Sequence, residues 1–321
     1  MQIQKHKEPK LLVVGGAGFI GSNVVDYLVA SDTTCEDEQI IVLDNLSTGK
    51  IENINKSRTV KFVKADICDF DAIEKYFEGV ETVYHLAALP RVEPSIKDPI
   101  EFNKINVDGT LNVFWAAKKH GVKRIVFSSS SSVYGEPKIH PTPETADLNP
   151  MSPYALQKLH GEQYAKLFCE LYGMNITCLR YFNVAGNREP TEGMYVPVIG
   201  IWLRQFGAGE QLTITGDGKQ VRDFVNVLDV AAINVTAARN APSGFDVYNV
   251  GSGKSYELNE IVRWIAPENR IQYMAERIEP RKTLANITKT MKMCKGHIRP
   301  PQDLKDYVLR TLEKMKNEKE S

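Results

Sequence analysis

Short apolar runs alternate with amphipathic stretches through roughly the first 185 residues of this 321-residue chain. KLLVVG, QIIVLD, VKFVKAD, TVYHLAA, RIVFSS and NITCLRYF read as strands, each close to continuous in apolar side chains. Helical patterns lie between them at 19 to 30, 70 to 78, 98 to 119 and 152 to 172. Strands that are apolar on both faces and separated by helices predict a parallel sheet covered on both sides. The expected fold class is α/β, a Rossmann-type doubly wound parallel sheet.

From about residue 185 the units shorten and gain Gly, Pro and charge. Helical patterns near 194 to 206 and 226 to 239, β runs at 211 to 214 and 247 to 250, and a basic helix after 301 predict a smaller C-terminal substrate-binding lobe. The expected division is 1–184, including a polar tail at 1–9, and 185–321, with segments of the second part able to return to the sheet.

Charge narrows the classes of partner. Forty Lys and Arg balance forty Asp and Glu, so no global field draws the chain to nucleic acid or to an anionic membrane. An anionic ligand must be held by local groups. The run from Leu11 to Ile20 contains three glycines and is too short to span a bilayer, and no leader pattern precedes it. The five cysteines are scattered without a CxxC pair or a His/Cys cluster at metal-ligand spacing. These features predict a cytoplasmic, metal-free protein.

GGAGFIG follows the first strand and opens the first helix, giving Gly15-x-x-Gly18-x-x-Gly21 around Phe19 and Ile20. Glycines there permit a tight turn and bring a pyrophosphate close to the free N–H groups of the helix N-terminus. The second strand ends in Asp44, followed by Asn45. A carboxylate at that point accepts hydrogen bonds from a ribose 2′-hydroxyl and repels a 2′-phosphate, which predicts NAD rather than NADP. Asp66 and Ile67 close the third strand, where Asp66 either holds the adenine edge or caps the next helix. Residues 1–184 therefore read as an NAD-binding domain.

Five serines, Ser128 to Ser132, stand at the carboxyl end of the fifth strand, where open α/β sheets place ligands. Ser152-Pro153 has the form of a helix start, so Tyr154 and Lys158 fall one turn apart on one helix face. A positive lysine and an oxidised nicotinamide beside Tyr154 would lower its pKa and let the phenolate take a hydroxyl proton. Ser130 can share that proton through a hydrogen bond.

These motifs, with HLAA at 85 to 88, Asn106, SSSSSVYG and RYFN at 180 to 183, resemble the extended short-chain dehydrogenase/reductases over nearly the whole chain. Within that family the sequence is most similar to UDP-hexose 4-epimerases. The resemblance implies that Leu86, Ala87, Ala88, Asn106, Ser128 and Tyr181 also border NAD. It implies that Tyr154 removes the sugar 4-hydroxyl proton, with Ser130 as its partner and Lys158 orienting the ribose. Related 4,6-dehydratases carry Thr-Asp-Glu where Ser130, Ser131 and Ser132 stand here, and decarboxylases usually carry glutamate at Ser132. The missing carboxylates point away from elimination and decarboxylation.

On the substrate side the resemblance implies Leu212, Thr213 and Ile214 beside uracil, and Asn183, Arg222 and Arg277 on the diphosphate, with Arg281 as the alternative to Arg277. Thr283 stands where a bulky residue would exclude an N-acetyl group, so a UDP-N-acetylglucosamine pocket is expected, with Ser131 or Ser132 facing the acetamide. Met194, Arg91 and Asn286 depart from the family pattern. Arg91 or Arg188 could instead face a C6 carboxylate, which keeps a UDP-glucuronate 4-epimerase open. An inactive nucleotide-binding regulatory protein is the alternative from another class, disfavoured because a binder needs no Tyr154. Family members pair through helices matching 98 to 119 and 152 to 172, so a homodimer is expected.

Overall fold

A computed structural model of the chain describes residues 10–31, 40–191, 196–276, 279–296 and 303–320. The polar tail at 1–9 lies outside them, as do Met194 and Arg277. Six strands alternate with helices in the first part: β1 (Lys10–Val14), β2 (Ile40–Asp44), β3 (Val60–Lys64), β4 (Val80–His85), β5 (Arg124–Ser130) and β6 (Ile176–Tyr181). Three short strands follow, β7 (Asn183–Ala185), β8 (Leu212–Thr215) and β9 (Val221–Asn226), before β10 (Phe245–Val250) returns to the main sheet. All seven main strands are parallel, in the order β10-β6-β5-β4-β1-β2-β3. Residues 245–250 therefore belong to the sheet built by the first 184, which crosses the division at 185.

Apolar continuity along the strands has a structural reason. Leu12, Val14, Ile125, Phe127 and Cys178 enter one layer, while Val13, Val126 and Leu179 enter the other, so successive residues feed opposite cores. The first layer is closed by α2 (Phe70–Glu74), α3 (Val92–Lys97), α4 (Pro99–Asn103), α5 (Thr110–Lys119) and α6 (Pro153–Tyr172). The second is closed by α1 (Phe19–Ser31), which packs on α8 (Val227–Asn240), the helix after α7 (Val198–Gly207). Each fully buried Leu, Val or Phe contributes roughly 1.5–3 kcal/mol.

The helix expected over 98 to 119 runs without interruption from residue 99 to 119, with a π segment within it. Asp98 caps α4, a π turn spans Lys104–Gly109, and α5 begins at Thr110. Helix α6 starts as its sequence predicts: the Ser152 hydroxyl accepts Ala155 N–H at 3.2 Å, Pro153 is the first helical residue, and Gly173 ends the helix at φ 66.

The second lobe has its own core around Trp202, Leu212, Ile214 and Phe224. Strand β9 pairs on one side with β7 and on the other with β11 (Ser255–Glu257), and β8 pairs with β12 (Ile271–Met274). Helix α9 (Leu258–Ile265) and, at a spacing of four, Leu304, Val308 and Leu312 of α11 (Leu304–Glu320) complete it, while α10 (Thr288–Cys294) packs back on α8. No helix among the described residues is long and apolar enough to cross a membrane.

Candidate active site

A cavity of about 1310 Å³ opens at the carboxyl ends of the main strands and extends into the second lobe. At its sheet end it is bordered by Gly15, Gly18, Phe19, Ile20, Gly21, Asp44, Asn45, Ile67, Leu86, Ala87, Ala88, Ser128 and Tyr181. Ser130, Ser131, Ser132, Tyr154 and Lys158 stand at its middle, with Asn183, Thr213, Arg222 and Thr283 toward the second lobe.

The glycine turn leaves space only where a ligand would lie. At Gly15, φ 82, a Cβ would come within 2.5 Å of Ala87 N, and at Gly21 within 2.1 Å of Gly15 O. Gly18 is different, because a Cβ there meets only Gly15 O at 3.3 Å and would project beside the cavity. The Asp44 carboxylate accepts Ala17 N–H at 3.0 Å and Leu46 N–H at 2.8 Å, so it is fixed at the rim with lone pairs to spare for a diol. An open turn at a helix N-terminus and a fixed carboxylate at the next strand end fit a dinucleotide.

Three consecutive serines of β5 meet three residues on one face of α6. The Ser128 carbonyl accepts Lys158 Nζ at 2.8 Å. Ser129 Oγ donates to Glu162 Oε1 at 2.5 Å. Ser130 borders the cavity beside Tyr154 and accepts from Ser132, N–H at 3.2 Å and Oγ at 2.9 Å. Positions 154, 158 and 162 are spaced by four, so the three side chains share one face of α6. Arg180 closes the inner end with Nε 2.9 Å and Nη2 2.7 Å from the two Glu162 oxygens, both side chains buried.

The expectation is that a positive lysine and an oxidised nicotinamide together lower the Tyr154 pKa, and the protein's own groups act as follows. Burial pushes the phenol up, opposed by the bond to Ser130 and by the charge of Arg91. Burial also pushes Lys158 down to about 7. Its Nζ lies 6.0 Å from the Tyr154 ring centre and is committed to Ser128.

Four expected contact residues do not border the cavity. Asn106, in the π turn, does not border the cavity: its amide bonds Leu89 N at 2.8 Å, Leu89 O at 3.0 Å and Gln157 Oε1 at 3.0 Å, fixing the loop after β4. Asp66 also stands back, accepting from Cys68 N and Asn45 Nδ2, and the cap of α2 is Asp69. Leu212 and Ile214 point into the second core, while Thr213 and Thr215 face the cavity. Strand alternation in LTIT carries that signal and brings Thr215 to the cavity as well.

Among the cations, Arg91 borders the cavity and Arg188 does not: Arg188 pairs with Asp26 at 2.7 Å. Arg281 is turned to Asp217, at 3.1 and 3.2 Å. Arg222 is buried and pairs with Glu279 at 2.9 Å, a cavity residue that sequence reasoning passed over, like Arg204. Asn183 Nδ2 reaches Asp223 O at 2.9 Å and Thr283 Oγ1 at 3.5 Å. The Asn286 carboxamide accepts Thr288 N–H at 3.0 Å, a turn bond that an aspartate would also make.

The sequence pattern of the NAD dependent epimerase/dehydratase family matches residues 11–251, which hold the glycine turn, the serine run and the Tyr-Lys pair. The chain belongs to this NAD-dependent family. Within it, a putative UDP-glucose 4-epimerase of Methanocaldococcus jannaschii is 40% identical over 311 residues, 96% of this chain and 98% of that one. The solved UDP-N-acetylglucosamine 4-epimerase from Methanobrevibacter ruminantium, in complex with UDP-N-acetylmuramic acid, is 35% identical with a TM-score of 0.87, covering 97% of this chain and 99% of that one. The Thermus thermophilus UDP-glucose 4-epimerase, solved in complex with NAD, is 31% identical with a TM-score of 0.84, covering 96% and 99%.

Proposed function

We propose that this chain is a UDP-sugar 4-epimerase that interconverts UDP-N-acetylglucosamine and UDP-N-acetylgalactosamine, and UDP-glucose and UDP-galactose as well. One observation carries the reading: Ser130, Tyr154 and Lys158, one turn on from Tyr154, stand together in the cavity that begins at the glycine turn. Gly15, Gly18, Gly21 and Asp44 would hold NAD, which would supply hydride chemistry at sugar C4. Tyr154 as phenolate takes the 4-hydroxyl proton, Ser130 steadies the oxygen through its own hydrogen bond, and the phenol gives the proton back. Ser131 and Ser132 offer hydroxyls and no carboxylate, so this part of the site has no acid and base pair for elimination.

The preference for an N-acetylated sugar rests on Thr283, a small residue on the cavity wall beside Asn183. The pairing of Arg188 with Asp26 removes one of two candidate partners for a uronate carboxylate. A homodimer is supported by Trp115, Leu156, Leu167, Leu171 and Tyr172, exposed apolar residues on α5 and α6. Incubation of the purified protein with UDP-N-acetylglucosamine, UDP-glucose and UDP-glucuronate, followed by proton NMR, tests the reading. Galacto-configured product from the first two supports it, and turnover of the uronate alone overturns the substrate assignment.

A further inference from the structure

Period-two alternation along β9 sends Arg222 and Phe224 to the cavity and leaves Asp223 behind it, fully buried. The Asp223 carboxylate is met by four donors from two distant segments. Oδ1 accepts Ser252 N–H and Ser252 Oγ–H, both at 2.8 Å, and Oδ2 accepts Gly253 N–H at 3.1 Å and Ala285 N–H at 3.0 Å. The loop after β10 comes this close because Gly251 has no side chain: a Cβ there would lie 2.8 Å from Asp223 Oδ2 and 2.6 Å from the Ala285 Cβ.

The backbone of the same residue holds the cavity side. Asp223 N–H donates to Thr283 Oγ1 at 3.3 Å, and Asp223 O accepts Asn183 Nδ2 at 2.9 Å. Asn183 Nδ2 in turn lies 3.5 Å from Thr283 Oγ1, and Thr283 N–H donates to Val221 O at 2.9 Å. Asn183, Arg222 and Thr283 all border the cavity. We infer that Asp223 is a positioning residue for the nucleotide sugar: its buried carboxylate ties the loop at 252–253 and the segment 283–285 to β9, and so fixes where Asn183, Arg222 and Thr283 meet the substrate. The inference rests on the UDP-sugar reading above. Asp223 itself meets no reacting atom and exchanges no proton in the reaction.

Taking a carboxylate out of water is costly, and a fold that needed only to close this corner could use apolar side chains, as it does around Trp202, Leu212 and Ile214. What the carboxylate adds is direction. Each of its hydrogen bonds holds one backbone segment at a set distance and angle from β9, which apolar contact does not do. An asparagine has a single acceptor oxygen, so whichever way its amide turns, an NH₂ group faces at least one of the backbone N–H donors of Ser252, Gly253 and Ala285. One segment of the wall then parts from β9, and Thr283 and Asn183 lose their common anchor.

The test is binding and turnover in the NAD-loaded full chain. Asp223→Asn is expected to raise both KM for UDP-N-acetylglucosamine and the calorimetric Kd of UDP about tenfold, with kcat within about twofold of wild type. NAD affinity stays at the wild-type value, since the glycine turn and Asp44 lie outside this set of bonds. A merely structural role would lower Tm and leave KM and Kd in place below it. A folded Asp223→Asn protein with wild-type KM and UDP Kd overturns the inference, as does one that loses only kcat. Where Asp223→Asn does not fold, Ser252→Ala decides: it removes one donor to Oδ1, is expected to raise KM and Kd about threefold, and overturns the inference if both stay at wild type. If the wild-type protein binds UDP and epimerises no sugar, the functional reading fails, and the UDP Kd still decides the role of Asp223. A wild-type protein that binds no UDP overturns both.

Discussion

Ser129 Oγ lies 2.5 Å from Glu162 Oε1, in a layer where Arg180 grips both Glu162 oxygens. The serine run is thereby sewn to α6 from within. Ser129 turns inward to this ion pair while Ser130 borders the cavity beside Tyr154, so the position of Tyr154 depends on charges buried beneath it.

Glu162→Gln leaves the Arg180 guanidinium buried without its counter-charge. The variant is expected to lose about 3–5 kcal/mol of unfolding free energy in urea. Ser129→Ala removes one hydrogen bond and is expected to lose about 1 kcal/mol. Equal losses would show that the ion pair adds nothing beyond the serine bond.

His85 is buried with Nε2 3.0 Å from Thr110 Oγ1. Thr110 gives its only hydroxyl hydrogen to Asn106 O at 2.7 Å, so Nε2 must be the donor and Nδ1 is left bare. Burial lowers the pKa to about 3 from the usual 6.5. Between those values the unfolded chain binds the extra proton, so stability falls as pH falls, by about 1.4 kcal/mol per unit. Above pH 6.5 the contribution is fully present. From pH 7 to pH 5 the wild-type protein is expected to lose about 2 kcal/mol more than His85→Phe in urea unfolding.

The glycine turn separates folding from binding. Gly21→Ala drives a methyl group into Gly15 O and is expected to lower Tm sharply. Gly18→Ala places its methyl beside the cavity, so Tm stays close to wild type while NAD binding weakens several-fold in calorimetric titration. Unchanged NAD affinity in Gly18→Ala would remove the pyrophosphate from this turn.

Thr283→Tyr fills the wall opposite the serines. The ratio of kcat/KM for UDP-N-acetylglucosamine over UDP-glucose is expected to fall roughly 100-fold, mostly through the acetylated sugar. A ratio that does not move would place the acetamide elsewhere.

Much of this site is legible because its chemistry is local in sequence. The turn at Gly15 to Gly21, Asp44 at a strand end and the four-residue spacing of Tyr154 and Lys158 each need only one element to be recognised. The loop-bracing bonds of Asn106 and Asp66 were not legible, because a side chain that braces a loop has the same residue type as one that meets a ligand. Leu212 and Ile214 fall in a segment that resembles a uracil site, although period-two alternation turns them to the core. The return of 245–250 to the sheet and the pairing of Arg222 with Glu279 are contacts between distant segments, which no local pattern encodes.

The central claim is proton transfer through Tyr154 during inversion at C4. It is tested most directly by proton NMR of UDP-N-acetylglucosamine incubated with wild-type protein and with Tyr154→Phe, no reductant being added. A galacto-configured product from the wild type, formed between about 10²- and 10⁴-fold more slowly by the variant, is the predicted result. Equal rates from the two proteins, or no epimer from any UDP-hexose with NAD bound, would contradict it.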